Sequence, residues 1–390
     1  MIERLIDQAS EQYGFNRVEL RRQNLIQSND MPFTNGVGVT YDSGDYTAAM
    51  EEAMRESDWN GFEDRKAESA KRGLCRGHGI ANYIEVTSGI PRERAEIIIT
   101  NDGYVELVVG TMSSGQGHET SFPQLICEWL EIPFDKIRFI VNDTNRVSVG
   151  GGSHSGRSMR LVSIAASEAV QELLENGKRV AAHALQTPLE EIKYAEGAFR
   201  SPGGASLDLW AAAKTSESEP NLPKLEGIGD IVNRVGGYPY GAHACEVEVD
   251  PETGHVEIIE WTAIDDVGRA VNPLILHGQA HGAAVQGIGQ AMLESIEYDP
   301  KSAQLLTGSF MDYAMPRADN MPSFKTLVTE IPASSHPLGI RPGGEGGTTP
   351  ALGLLINAIV DALSDYGVTH IEMPATPERV WRAIQDAKHG

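Results

Sequence analysis

Glycine stands in this chain where it is most costly. Four segments place it at the junction of a strand and a helix or inside a helix: "GTMSSGQGHETSFPQ" (110–124), "VGGGSHSGRSMR" (149–160), "HGQAHGAAVQGIGQAM" (277–292) and "RPGGEGGTTPA" (341–351). A helix glycine costs roughly 0.5–1 kcal/mol relative to alanine and brings no side chain to the core. Gly278, Gly282, Gly287 and Gly289 all lie in the third segment, at a combined cost of about a few kcal/mol on that scale. Something must offset it. Either backbone packs tightly on backbone, or a bulky ligand lies where side chains would stand. In the last segment Gly343, Gly344, Gly346 and Gly347 surround one carboxylate, Glu345.

The hydropathy pattern sets these segments in a mixed α+β chain. Residues 1–26 carry helical spacing at Ile2, Leu5, Ile6 and Ala9 with a break at Gly14; a second helix is expected over 45–58. Residues 76–86 read as a strand, and 95–111 as a hairpin turning at Asn101-Asp102-Gly103. A helix over 119–130, a strand over 136–143 and a helix from the second glycine loop to about 176 follow. Residues 201–235, rich in Gly, Pro, Ser and Glu, read as a surface excursion or boundary. A second hairpin (242–268), the glycine-rich helix (273–294), a strand (324–331) and two terminal helices complete the order, the last opening on Thr376 and Pro377. The expected division is a helical segment (1–60) and two mixed α/β subdomains, 61–235 and 236–390, with βαβ-like halves on either side of residue 235.

Charge narrows the partners. With 32 basic against 55 acidic residues the formal charge is −23, which argues against a nucleic-acid footprint or docking on an anionic membrane. No apolar run approaches the roughly 20 residues of a membrane span, and "MIERLIDQAS" does not pattern as a signal peptide. Cys75, Cys127 and Cys245 are scattered without CxxC spacing. They form no disulfide framework or iron–sulfur ligand set, and a reducing cytoplasm is the expected location.

Helix amino termini with free N–H groups and small residues are anion sites, favoured by the helix dipole. The first two loops lead into such termini. No GxxxxGK[ST] pattern occurs, and "GQGHET" lacks the last glycine of GxGxxG. The loops therefore suit a large phosphate-bearing ligand held by many backbone amides, and not a known mononucleotide cradle.

The ordered set "GQGHET…Q", "GGGSHSGRS", "DDVGRAVNP", "GQAHGAAVQGIGQAMLE", "TGSFMDYAMP", "GGEGG" and "MPATPERVWRAI" resembles the molybdenum-cofactor subunit of the xanthine dehydrogenase, aldehyde oxidase and carbon monoxide dehydrogenase family. The resemblance runs over essentially the whole chain and corresponds to the carboxy-terminal half of the family's large chain. It implies two α/β subdomains whose Gly-rich loops converge on a molybdopterin carrying molybdenum, in its cytosine dinucleotide form. Gln116, Gly117, His118 and Thr120 match one cofactor loop; Gly152, Ser153, Ser155, Arg157 and Ser158 match a second; Gln286 matches a third contact. Glu345, between Gly344 and Gly346, matches the catalytic base beside the metal. There it would accept a proton while water-derived oxygen attacks an electron-poor carbon of an aldehyde, N-heteroaromatic or CO-like substrate. Burial raising its pKa would suit that work, and the flanking glycines would let the cofactor approach. The implied partners are an amino-terminal half, either supplied by another chain or missing from an incomplete reading frame, with a [2Fe–2S] subunit and an FAD subunit. One departure is Arg341-Pro342-Gly343-Gly344-Glu345 where many relatives have Lys-Gly-Val-Gly-Glu; Pro342 removes a backbone donor.

Other residues carry two readings. His118 suits a cofactor-side role or a helix start. His277 and His281, at i and i+4 without the Glu of HExxH, suit packing or a cofactor-side contact better than metal. Asp265 and Asp266 suit a cofactor amine or a strand-end turn. The cysteines suit buried, inert thiols. The rival to an enzyme is a non-catalytic remnant or assembly module that retains the pterin-phosphate grip; a plain nucleotide-binding enzyme is disfavoured by the missing phosphate motifs.

Overall fold

The computed structural model describes residues 2–233 and 235–389. In chain order the elements are α1 (Ile2–Tyr13), α2 (Arg17–Asn24), β1 (Phe33–Thr34), β2 (Thr40–Tyr41), α3 (Tyr46–Glu56), α4 (Phe62–Lys71), β3 (Cys75–Ile84), β4 (Glu93–Ile99), β5 (Val105–Val109), α5 (His118–Leu130) and β6 (Ile137–Ile140). Then come α6 (Ser158–Ala184), β7 (Lys193–Ala195), β8 (Ala198–Arg200), β9 (Ser206–Asp208), α7 (Leu209–Ser218), β10 (Glu226–Ile231), β11 (Tyr240–Val249) and β12 (Val256–Asp266). The last are α8 (Pro273–Met292), β13 (Phe324–Thr329), α9 (Thr348–Ala362) and α10 (Pro377–His389). Two compact units gather these elements. One holds Met1–Val86, Tyr238–Pro332 and Gly343–Gly390, the other Thr87–Gly237 and Ala333–Pro342.

The sheet of the first unit runs β13-β12-β11-β3. β11 is antiparallel to both β12 and β3, whereas β12 and β13 are parallel. A parallel pair needs a long crossover, and α8 lies within it. One sheet face carries Val247, Val249, Ile258 and Trp261 against Ile288 of α8, Leu354 and Ile359 of α9 and Ile384 of α10. The other carries Ile80, Ala242 and Ile264 against Met50 and Ala53 of α3. A sheet covered on both faces explains why β11 is buried along its whole length. β3, early in the sequence, pairs with β11 from Tyr240↔Ile84 to Val249↔Cys75.

The sheet of the second unit runs β10-β4-β5-β6, with β5 and β6 parallel and α5 between them in sequence. β4 alternates: Glu93, Ala95, Ile97 and Ile99 are buried, and Arg94, Glu96 and Ile98 are half-buried. This is the pattern of a sheet with one covered face. On that face Ile97 and Leu107 join Phe122 and Ile126 of α5 and Val162 and Leu173 of α6. Glu93 has inward parity, so its carboxylate is committed to the interior and needs a partner there.

The segment 201–235 is not a surface excursion. It contains β9, α7 and β10, with Leu209, Ala212 and Leu225 in the core. The glycines that read as loop signals are strand residues kept bare for a helix. A Cβ on Gly227 or Gly229 would fall 1.9 Å from the carbonyl oxygen of Ala169 or Ala165 on α6. Helix α6 also runs past 176 to Ala184, carried by buried Gly177, Val180 and Ala181.

Candidate functional site

In the second unit, the two glycine loops expected to meet a cofactor lie against each other. A Cβ on Gly110 would sit 2.2 Å from the Cα of Gly150, so only glycine allows the backbones this close. Side chains then bridge the loops. Gln116 Nε2 donates to Ser153 Oγ at 2.6 Å, and Ser153 and Ser158 hydroxyls lie 2.8 Å apart. Gln116, Ser153 and Ser158 are thus brought together, with Gly117 and Gly152 in left-handed backbone conformations beside them. Ser155, a non-glycine at φ 52, shares that geometry; its carbonyl accepts from Ser88 N–H. Such strain is held only where neighbours fix it.

Each loop ends in a helix without a side-chain cap. α5 starts from Gly117 and α6 from Arg157, and neither cap residue's side chain bonds the first-turn amides. By contrast α2, α3, α7 and α8 are capped by Asn16, Asp45, Asp208 and Asn272. First-turn N–H groups left this way suit an external acceptor, and an anion most of all. Thr120 sits half-buried in the first turn of α5, its N–H on Gly117 O.

Arg157 is placed differently from the expectation of a phosphate ligand. Its side chain is completely buried and paired with the equally buried Glu93, Nη1 to Oε2 at 2.8 Å. The same guanidinium donates to Thr111 Oγ1 at 3.1 Å, to Ile90 O at 3.1 Å, to Arg92 O at 2.6 Å and to Gly152 O. It ties the 149–157 loop to β4 and to the end of β5. Sequence reading missed Glu93 and Thr111 as its partners; the inward parity of Glu93 along β4 was the available signal. His118 is likewise turned into the protein. Its Nδ1 lies 3.3 Å from Met112 O and its ring stacks on Phe122 at 4.6 Å. Burial pushes its pKa down, the Met112 carbonyl and Glu119 opposing.

In the first unit the Glu345 loop lies along α8. A Cβ on Gly343 would meet Leu276 at 2.5 Å, one on Gly346 the Tyr83 hydroxyl at 2.5 Å, and one on Gly347 Ala280 O at 3.1 Å. Three of the four glycines are therefore crowded by protein neighbours. Only Gly344 faces roomier surroundings, with Gln279 Oε1 at 3.6 Å. This revises the idea that the glycines chiefly admit a cofactor. Glu345 itself is exposed in this chain, not buried; its carbonyl accepts from Thr348 N–H, and α9 begins there with no side-chain cap.

Gln286 is exposed on α8, and Gln279, missed in the sequence, lies seven residues before it and so on nearly the same face. Gly287 is packed on Ala351 and Gly289 on Pro316, but around Gly278 and Gly282 nothing lies within 4 Å. Half the glycine cost in this helix is thus offset by packing within the chain. His277 and His281 both reach Thr326 Oγ1, at 2.8 and 3.3 Å, and His281 stacks on Phe324. Asp266 closes the strand ends, accepting from Gly268 N–H, Thr329 Oγ1 and Ile331 N–H. Cys245 is buried and Cys75 and Cys127 are half-buried; burial raises all three thiols. Among the described residues no group of three or more His, Cys, Asp or Glu could hold a metal ion, and no helix is long and apolar enough to cross a membrane.

Known proteins resemble this chain over its whole length. The 6-hydroxypseudooxynicotine dehydrogenase complex subunit gamma of Paenarthrobacter nicotinovorans is 32% identical over 98% of this chain and 50% of its own. The carbon monoxide dehydrogenase large chain of Hydrogenophaga pseudoflava is 28% identical over 99% of this chain and 50% of its own. The structure of reconstituted CO dehydrogenase from Oligotropha carboxidovorans superposes with a TM-score of 0.89 at 30% identity, covering 99% of this chain and 51% of that one. The chain thus spans about half the length of the relatives it matches. The family described as "Molybdopterin cofactor-binding domain" matches residues 52–322. The chain is a member of that molybdopterin-binding family, and its mixed α/β fold is that of the molybdenum-hydroxylase large subunits.

Proposed function

We propose that this chain is the cofactor-binding part of a molybdenum hydroxylase, an oxidoreductase that works with partner chains. The observation that carries the reading is the pair of uncapped helix starts, α5 and α6, at the ends of two loops pinned together through Gly110 and Gly150 and the Gln116–Ser153–Ser158 chain. Two such amino termini suit the linked phosphates of a molybdopterin dinucleotide, for which the cytosine form is our assignment. First-turn amides of His118 and Glu119, with Gln116, Ser153, Ser155 and Ser158, would hold phosphate oxygens. Arg157 would serve from behind, fixing the loop without touching the ligand. In the first unit Gln286, Gly344 and Gly346 would contact the cofactor, and Glu345 would act as general base.

When bound, the molybdenum centre would supply the oxygen delivered to substrate and take up the substrate's electrons. The role of Glu345 is to accept a proton at its carboxylate. A carboxylate becomes an effective base near neutral pH when its surroundings are desolvated, a task that falls to the cofactor and to the part of the relatives' length that this sequence does not span. A [2Fe–2S] subunit and an FAD subunit complete the reading, in the cytoplasm, with an aldehyde, N-heteroaromatic or CO-like molecule as substrate.

The test is cofactor retention in the complex purified from its natural host, read as molybdenum by mass spectrometry and as pterin by fluorescence after oxidation. Gln116→Ala and Ser153→Ala each remove a hydrogen bond to a charged group, about tenfold or more in retention, with thermal stability largely kept. A complex without molybdenum, or variants with full occupancy, would contradict the proposal.

A further inference from the structure

Beneath the Glu345 loop runs a buried polar chain that the proposed chemistry does not use. Tyr83 of β3 donates its hydroxyl to Asp265 Oδ1 at 2.6 Å, and His243 Nε2 lies 2.9 Å from the same oxygen. His243 is fully buried and Asp265 and Tyr83 nearly so. The three residues lie on adjacent strands, Gly241 pairing with both Tyr83 and Asp265. Burial, reinforced by Asp265, raises the Tyr83 phenol well above its ordinary value, so it stays a donor.

The far side of this hydroxyl meets the loop. A Cβ on Gly346 would come within 2.5 Å of the Tyr83 oxygen and 3.0 Å of its ring. Tyr83 also borders an open apolar groove with Tyr41, Tyr46, Thr349 and Pro350, and the bond to Asp265 fixes where its hydroxyl points. We propose that Tyr83, aimed by Asp265 and His243, is a positioning residue for Glu345, setting the height of Gly346 and with it the neighbouring carboxylate. The functional meaning rests on the reading of Glu345 as base, but the contact does not.

The experiment is amide hydrogen exchange on the purified chain, resolved to peptides covering 343–350 and to control peptides in α4 and α10. Tyr83→Phe keeps the ring and removes the atom that meets Gly346. Exchange across 343–350 should rise several-fold, because the loop loses the hydroxyl it packs against, while the controls stay unchanged. Asp265→Asn, which retains the ring and its hydroxyl but weakens the aim, should show the same local pattern. Gly346→Ala should loosen the loop as well. Adding Tyr83→Phe should recover part of that loss, because the hydroxyl oxygen, the atom nearest the new methyl, is gone. Unchanged loop exchange in Tyr83→Phe, or a rise shared equally by α4 and α10, would overturn the proposal, since Tyr83 would then be core alone. Glu345→Gln separates the two ideas: full activity in that variant beside a loosened loop in Tyr83→Phe would sink the base and leave the prop standing.

Discussion

Arg157→Ala should unfold the second unit's loops rather than merely empty a phosphate site. The guanidinium has no solvent exposure, and neither does its partner Glu93. Removing the arginine leaves a buried carboxylate facing Thr111 and the amide of Gly110 with its cation gone. Breaking one side of a buried pair costs about 3–5 kcal/mol, which is at least about a hundredfold in the local opening equilibrium. Arg157→Lys keeps the charge but cannot reproduce the fork that reaches Glu93, Ile90 O and Arg92 O together, so it should fall between. Replacing both members, Arg157→Met with Glu93→Gln, should recover much of the loss, because the largest part is the stranded charge. The assay is amide exchange in peptides covering 93–111 and 149–165, with urea unfolding alongside. If Arg157→Ala stayed within about 0.5 kcal/mol of the parent, as an ordinary surface change does, the guanidinium would not be the bolt described here.

Two further outcomes follow from the structure. His78 is sandwiched between Trp59 and Phe62, centroids 3.9 and 3.6 Å away, and burial, aided by Arg17, Arg65 and Lys66, lowers its pKa to about 2. The unfolded chain binds this proton near pH 6.5, so stability is complete above that value and falls as pH drops, by about 2 kcal/mol at pH 5. His78→Phe should remove that part of the slope in urea titrations at pH 7 and 5; an identical slope would refute it. Gly227→Ala puts a methyl 1.9 Å from Ala169 O and 2.7 Å from Leu173 N, both backbone. It should cost about 1–3 kcal/mol or more, and unchanged thermal unfolding would show that α6 sits farther from β10.

Periodicity revealed most of the elements because most bury one clean face. The 95–111 hairpin is an example: Ile97, Ile99, Val105 and Leu107 point inward, and Gly103 takes φ 87 at the turn. What stayed hidden lacked such a face. α4 buries only Phe62 and Ser69, so no apolar repeat marks it. β7, β8 and β9 have three residues each, too short for alternation to register. β10, "EGIGDI", carried glycines that mimic a loop, and only the approach of α6 explains them.

The site divides along similar lines. Which loops matter was legible, because the glycines, amides and hydroxyls of 110–120 and 149–158 form a pattern in the sequence. Which atoms face outward was not. Arg157 and His118 turn inward to Glu93 and Met112, and the glycines at 343, 346 and 347 serve Leu276, Tyr83 and Ala280. A one-dimensional pattern marks a close approach without naming the body that approaches. Tyr83, Asp265 and His243 converge only through strand register, which sequence spacing across residues 83 to 265 does not disclose.

The most direct test of the account is Glu345→Gln in the assembled, molybdenum-loaded complex. The amide keeps size and shape but cannot accept a proton at neutral pH. The measurement is single-turnover bleaching of the oxidised complex by substrate under anaerobic conditions, scaled to molybdenum content. The account predicts normal molybdenum and a bleaching rate lowered by about 10²–10⁴, the usual contribution of a general base. A rate within a few-fold of the parent at full molybdenum occupancy would contradict it.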